Sequence, residues 1–392
     1  MSPQPILFNG RFLGARPTGV QRVACELITH MDRLIGQYQA GSSRSSLLCP
    51  RNSHRSLPLA SIDRREVGVL TSQAWEQLEL PWIARGGVLV NLCNLAPLSH
   101  RRSVTLIHDA QVFLSPQSYS RAFRAWYRFA LPRIGAGAAH VVTVSNYSRE
   151  RLIEFGVAPA EKISVVHNGV DHFRTIAAKG DVVARLALTP HRYVVAAAGV
   201  QKHKNLGVLF EAFKSPGLAD LTLVVVGGDD AAAFNAAGYT PGPGVVFAGR
   251  MSDGELKALY EQAACLAFPS TTEGFGLPPL EAMSLGCPVV AAPCGALPEV
   301  CGDAVLYANP YDPAAWVQAI RLAADDGEAR TRLVRIGPSR AGCYRWEDSA
   351  RRLLDIVWKA AQGPAPLGRR SAPDVDGGDD QNHPAADGEH AA

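Results

Sequence analysis

The chain has 392 residues, 47% of them hydrophobic and 19% charged, with a formal net charge of +3 at pH 7. That is the composition of a globular protein long enough for two domains, and no apolar run approaches the ~20 residues a membrane-spanning helix needs. Residues 363–392 carry two arginines against six carboxylates, which leaves +7 on the rest. Such an excess suits a diphosphate ligand or an anionic membrane surface. With no binding motif beside it, it gives no reason to expect nucleic acid. The N-terminus, MSPQPILFNG, lacks the basic start and long apolar core of a signal peptide, so a cytoplasmic protein is expected. Eight cysteines are scattered without a C-x-x-C pair and read as reduced and largely buried. The seven-residue gaps between Cys287, Cys294 and Cys301 are not zinc spacing.

Pro5–Phe8 reads as the first strand, followed by the loop NGRFLGARPTGV and a helix over Gln21–Ile35 with Val23, Leu27, Leu34 and Ile35 on one side. A glycine just ahead of a helix lets backbone approach a phosphate; Gly19 holds that place and Gly14 shapes the loop. Residues 36–61, rich in Ser, Arg, Gly and Pro, offer Leu47–Cys49 as a brief strand. Val88–Leu92 and Val104–Ile107 are buried strands, and the second runs into His108-Asp109, where a doubly wound sheet opens its crevice. Tyr119–Ile134 interleaves four arginines with Phe123, Trp126, Tyr127 and Phe129. Helical spacing separates an aromatic face from a basic one, which fits core packing with solvated arginines or a membrane surface. His140–Ser145 is the next strand, with Ser145 or Asn146 capping a helix. Lys162–Val166 then leads into HNGVD, where the chain leaves its first domain.

Tyr193–Ala198 opens the second half and is followed by GVQKHKNL, whose lysines near a helix start can neutralise phosphate charge. Leu221–Val226 ends in Gly227-Gly228-Asp229, and Val245–Phe247 leads to a helix capped by Ser252 and Asp253 with Glu255 nearby. After the strand Cys265–Ser270 comes TTEGFGLPPLEAMSLGCPVVA at 271–291. It reads as a glycine-rich loop, a short helix opened by Pro278 and Pro279 and stopped by Gly286, and a strand. Such a loop aims backbone N–H groups and a positive helix end at one point, an anion site. Glu273 and Glu281 lie beside it, and a carboxylate there is suited to accept hydrogen bonds from neutral hydroxyls. Anion and hydroxyls together suggest a nucleotide sugar. Tyr344–Ala360 is a last helix rich in Trp, Leu, Ile and Val, and 363–392, without periodicity, reads as disordered.

EGFGLPPLE with AMSLGCPVV after it closely resembles the signature of the retaining glycosyltransferases of family 4, and the resemblance covers residues 5–360. It implies an α/β fold of GT-B type, two Rossmann-like domains facing across a cleft. Residues 1–172 would form an acceptor-side domain, 173–345 a nucleotide-sugar domain, 346–362 a helix crossing back to the first domain, and 363–392 a tail. By the same resemblance His108 lies by the transferred sugar, Glu273 holds its hydroxyls, Glu281 binds the ribose and Lys204, in HKN, meets the diphosphate. The N–H groups of Gly274, Phe275, Gly276 and Leu277 and the Gly19 loop would assist there, with backbone at Arg250 and Met251 by the base. The arginine the family carries ahead of its lysine is missing, and Gln201 or Lys202 takes its place. Asp229-Asp230 is the nearest approach to a D-x-D motif, so no metal and no other cofactor is expected.

The function implied is transfer of a hexose, by family habit mannose from GDP-mannose, to a glycan or lipid-linked oligosaccharide in bacterial polysaccharide assembly, in the cytoplasm or at the inner face of the membrane. A sugar-nucleotide 2-epimerase on the same fold and a non-catalytic sugar-nucleotide-binding partner are the alternatives. A dinucleotide-binding dehydrogenase is disfavoured by the proline at the third glycine position of G-x-G-x-x-G.

Overall fold

A computed structural model describes residues 4–38, 45–197 and 199–362; the acidic tail, and the disorder expected of it, lie outside the described residues. Seven parallel strands form a first sheet: β1 (Ile6–Asn9), β2 (Ser45–Cys49), β3 (Ile62–Glu66), β4 (Val88–Asn91), β5 (Ser103–Leu106), β6 (His140–Thr143) and β7 (Ile163–Val165). Their order is β3-β2-β1-β4-β5-β6-β7. Six parallel strands form a second: β8 (Tyr193–Ala197), β9 (Thr222–Val226), β10 (Val245–Gly249), β11 (Cys265–Phe268), β12 (Val289–Ala291) and β13 (Leu306–Tyr307), in the order β10-β9-β8-β11-β12-β13. Helices cover the sheets, which is why the central strands read as unbroken apolar runs. β3 carries Asp63, Arg64, Arg65 and Glu66 exposed on the sheet's edge, where charge discourages pairing with another chain.

Each sheet reverses its winding beside its first strand, between β1 and β4 and between β8 and β11. Parallel sheets bind ligands outside the carboxyl ends of the strands at such a reversal. The two reversals open onto one cleft, so the fold is GT-B.

Two chain crossings join the halves and are stitched to each other. The Val170 N–H donates to the Tyr344 carbonyl at 2.9 Å, and Asp171 accepts from the Trp346 N–H at 2.8 Å. The Ser349 hydroxyl donates to the His167 carbonyl at 2.6 Å. Gly169 sits in this seam, where a Cβ would lie 2.2 Å from the Trp346 nitrogen. The helix Trp346–Gln362 then buries Leu353, Leu354 and Val357 and packs on the helix Gly19–Tyr38 and on β4, β5 and β6. It crosses back to the first domain as expected.

Ser145, not Asn146, caps the helix Asn146–Glu154, and Ser252 with Glu255 forms a complete capping box. Gly286 takes a φ of +75° just past the helix Leu277–Ser284, the left-handed stop its sequence suggests. Cys49, Cys265, Cys287 and Cys301 are buried reduced thiols, Cys25, Cys93 and Cys294 are half-buried, and Cys343 is exposed. Burial pushes the Cys287 and Cys301 thiols up to about 12, which keeps them protonated.

Candidate active site

The loops at the two reversals enclose a cavity of about 740 Å³. From the first sheet come Arg11 after β1, Asn94 after β4, and Asp109 after β5; from the second come Gln201 and Lys204 after β8 and Glu273 after β11. Lys204 ends a short 3-10 turn, and its Nζ lies 2.7 Å from Glu273 Oε1 and 5.7 Å from the centre of the Phe268 ring. Asn205, with a φ of +54°, ties the two loops together by donating to the carbonyls of Pro269 and Pro310 at 3.2 and 2.7 Å. Cation and carboxylate are thus positioned by adjoining loops of one sheet.

The glycine-rich loop also bonds to the facing domain. Gln111 donates from Nε2 to the Thr272 carbonyl at 2.7 Å, and the Ser145 and Ser148 hydroxyls donate to the Gly274 carbonyl at 2.6 and 3.1 Å. A Cβ on Gly274 would stand 2.6 Å from the His108 carbonyl oxygen, so this glycine is needed for the close approach of the domains. Glu299 adds a latch, accepting from the Asn146 and Tyr147 N–H groups at 2.9 and 3.0 Å and from His167 Nε2 at 3.1 Å. Partial burial pushes the Glu299 carboxyl up, but these bonds outweigh it and hold it below its ordinary range.

A second cavity of about 510 Å³ lies at the same domain junction, bordered by Gly19, Met251, Leu277, Pro278 and Glu281. Gly276, with a φ of +105°, turns the chain into the helix Leu277–Ser284 here. Glu281 is 6% exposed, and burial raises its carboxyl to about 7. His172 stands beside it, Nε2 3.9 Å from Glu281 Oε1. The Trp346 indole N–H donates to His172 Nδ1 at 2.9 Å, which places the ring proton on Nε2, facing Glu281. Burial lowers His172 to about 4, so the ring is neutral. His172 follows HNGVD, but its position against Glu281 is made by tertiary packing and leaves no sequence signal.

Several expected residues turn their side chains to neither cavity, though of Phe275 and Arg250 only the backbone is expected there. His108 is 6% exposed and lowered to about 4 by burial; its Nε2 donates to the Leu92 carbonyl at 2.9 Å, and it is its neighbour Asp109 that borders the cavity. Phe275 turns its ring away from both cavities, to Tyr344 at 5.5 Å and His167 at 6.1 Å. The Arg250 guanidinium folds over Gly228, and Lys202 is exposed at the start of its turn. Of the two candidates for the missing arginine, Gln201 borders the large cavity. Asp229 accepts from the Val200 N–H at 3.0 Å and Asp230 caps the helix Ala231–Ala236, so both carboxylates serve the backbone. Among the described residues no cluster of three or more His, Cys, Asp or Glu is placed to hold a metal ion.

A cleft between two doubly wound sheets, with a lysine–glutamate pair at one reversal and a buried glutamate at a helix start, is the arrangement of a GT-B fold. Residues 185–340 match the family Glycosyl transferases group 1 and residues 85–174 match Glycosyltransferase Family 4, and the chain belongs to this family. It is 30% identical over 263 residues to the O-antigen chain mannosyltransferase B of Escherichia coli, covering 64% of this chain and 69% of that one. It is 30% identical over 228 residues to the O-antigen chain mannosyltransferase RfbU of Salmonella typhimurium, covering 57% of this chain and 61% of the relative. The D-inositol 3-phosphate glycosyltransferase of Salinispora tropica is 32% identical over 252 residues, 58% of this chain and about half, 52%, of the relative. In fold, the chain is similar to the sucrose-phosphate synthase of Thermosynechococcus elongatus (TM-score 0.68, 19% identity, 91% of this chain and 98% of that one). It is also similar to WaaG, a glycosyltransferase involved in lipopolysaccharide biosynthesis (TM-score 0.64, 16% identity, 90% and 99%).

Proposed function

We propose that this protein is a retaining glycosyltransferase that moves a hexose from a nucleoside diphosphate sugar to a glycan or lipid-linked acceptor in polysaccharide assembly. The observation that carries the reading is the Lys204–Glu273 pair, 2.7 Å apart, on a cavity walled by the other domain, with Glu281 in the adjoining cavity beside Gly19. Lys204 balances charge that grows on the leaving diphosphate, and the start of the helix Leu277–Ser284 adds its positive end. Glu281 accepts from the ribose hydroxyls, and Glu273 from hydroxyls of the transferred sugar. The bond from the anomeric carbon to the diphosphate breaks as the bond to the acceptor oxygen forms on the same face, and the acceptor proton goes to the departing phosphate oxygen. With Lys204 and backbone N–H groups on the diphosphate, the transfer is proposed to run without a divalent cation.

Mannose is the favoured sugar, since both O-antigen relatives are mannosyltransferases by name, and GDP-mannose is the favoured donor by the family resemblance. A lipid-linked acceptor would bring a membrane's inner face to the helix Arg121–Gly137, where Phe129 is 45% exposed under the Arg133 guanidinium. No described helix is long and apolar enough to cross a membrane.

A thermal-shift panel of GDP, UDP, ADP and dTDP with their sugar conjugates, with and without EDTA, tests this reading. One base is expected to stabilise the protein, by about 2.7 kcal/mol at 100 times its dissociation constant, and EDTA should leave the shift unchanged. Silence across the panel would refute it.

A further inference from the structure

The first-domain side of the large cavity is walled by aromatic rings and carboxamides, and its charges are already matched. Tyr119, Phe123 and Tyr127 form a continuous stack with centroids 5.2 and 4.1 Å apart, and all three border the cavity. Tyr119 extends it to His203 of the other domain at 6.4 Å. The membrane or core readings of this stretch missed the row, because helical spacing shows which residues share a face but not that the face meets a cleft. Gln73 and Gln111 border the same space, and each has a buried Oε1 with no hydrogen-bond partner. A buried polar atom left unpaired costs ~1–3 kcal/mol, so these two oxygens, with the unpaired Trp126 Nε1 on the same cavity, mark groups kept for a ligand or ordered water. Gln111 is held in orientation by its Nε2 bond to Thr272 across the cleft.

The charges point the same way. Arg11 donates from Nε to Glu76 Oε1 at 2.9 Å, and Glu76, 1% exposed, also accepts from Asn9 Nδ2 at 2.8 Å. Lys204 is paired with Glu273. His203 is lowered to about 4 by burial and is neutral. Asp109 is a further acid on the wall. Among the described residues lining the cavity, every cation already has a carboxylate partner. An acceptor phosphate would have to displace one of them.

We infer that the acceptor entering this cavity is an uncharged sugar ring, its C–H face against the Phe123–Tyr127 wall and its hydroxyls on Gln73 and Gln111, and not a phosphorylated polyol. The inference rests on the glycosyltransferase reading and narrows it. Sequence identity does not make this choice: relatives named for O-antigen mannosyl transfer and for D-inositol 3-phosphate match at 30% and 32%. An apolar wall with adaptable amides suits a polyhydroxylated ring. With Lys204 taken by the donor's diphosphate in that reading, the acceptor side offers, among its described residues, only Arg11, already matched by Glu76, with Asp109 nearby. Placing a second anion there is costly.

Saturation-transfer NMR on the full chain with GDP present tests it, using methyl α-mannoside, methyl α-glucoside and methyl α-galactoside, their 6-phosphates, and D-inositol 3-phosphate. At least one neutral glycoside should bind, and its 6-phosphate should bind about tenfold more weakly, equivalent to 1.4 kcal/mol. Phe123→Ala, at a ring 39% exposed, and Gln73→Leu should each lower the glycoside signal with the thermal midpoint kept. Stronger binding of a phosphate, absence of any neutral glycoside signal, or variants that bind as wild type would overturn the inference. Glycoside binding in a protein that the nucleotide panel leaves unshifted would uphold the sugar site and refute the transferase reading, so the two failures are distinguishable.

Discussion

Lys204→Ala is expected to lower kcat/KM for nucleotide-sugar consumption by about 10²–10³-fold, the usual cost of removing one preorganised group from developing charge. The loss should fall mainly on kcat, because the diphosphate gains charge as the sugar departs and the lysine acts most strongly on that state. Removing the cation also leaves Glu273, with a side chain 14% exposed, without its partner at 2.7 Å. Lys204→Arg keeps the charge but exchanges a compact ammonium for a planar fork, so partial recovery is expected. Steady-state kinetics with the nucleotide affinity measured in parallel separates the effects. A variant with unchanged kcat would show that Lys204 serves only to hold the Glu273 loop.

Glu281→Gln is expected to stabilise the unliganded protein at pH 8 while weakening nucleotide binding. Burial raises the carboxyl from 4.5 to about 7. A group whose pKa is raised on folding contributes stability that is complete below its unfolded pKa and is lost as pH rises through the folded value. Above pH 7 the wild type therefore holds a buried carboxylate at a cost of at most about 3 kcal/mol, and glutamine removes it. The same change deletes the charged acceptor for the ribose hydroxyls, and nucleotide affinity should fall about 10–100-fold, the scale of a charge-assisted hydrogen bond. Thermal midpoints at pH 5 and pH 8 check the first part: the gain should be present at pH 8 and small at pH 5. A midpoint lowered at pH 8, with affinity kept, would make Glu281 a structural partner of His172 instead.

The stability and the proposed function are opposed at Glu281, and the residues around it show how much of this was legible beforehand. The loop–helix–strand unit at 271–291 was readable because each boundary has a local cause: two prolines at the helix start, Gly286 at its end, apolar strands on either side. The capping box at Ser252 and, apart from β3 and the two-residue β13, the strands of both sheets were readable for the same reason. β3 was not, since an exposed charged edge strand carries no apolar signal. Nor was the π-helical turn Trp75–Glu79, which brings Glu76 to Arg11 from 65 residues away. The resemblance puts His108 by the transferred sugar, yet its ring bonds to the Leu92 carbonyl; Phe275, expected there only through its backbone N–H, packs its ring against Tyr344. A motif fixes where backbone runs; the direction a side chain takes is decided by neighbours distant in sequence. His172, by contrast, was passed over because nothing in its surroundings in the chain foretells Trp346 on one side of its ring and Glu281 on the other.

The most direct measurement is the anomeric configuration of the product. The full chain would be incubated with the nucleotide sugar selected by the thermal-shift panel, a neutral methyl glycoside and EDTA, and the new linkage read by NMR before the product can equilibrate. Front-face transfer, with Lys204 on the diphosphate and no metal in the step, predicts a product with the donor's own configuration, formed at the same rate with EDTA as without. Inverted configuration, or transfer abolished by EDTA and restored by a divalent cation, would contradict it.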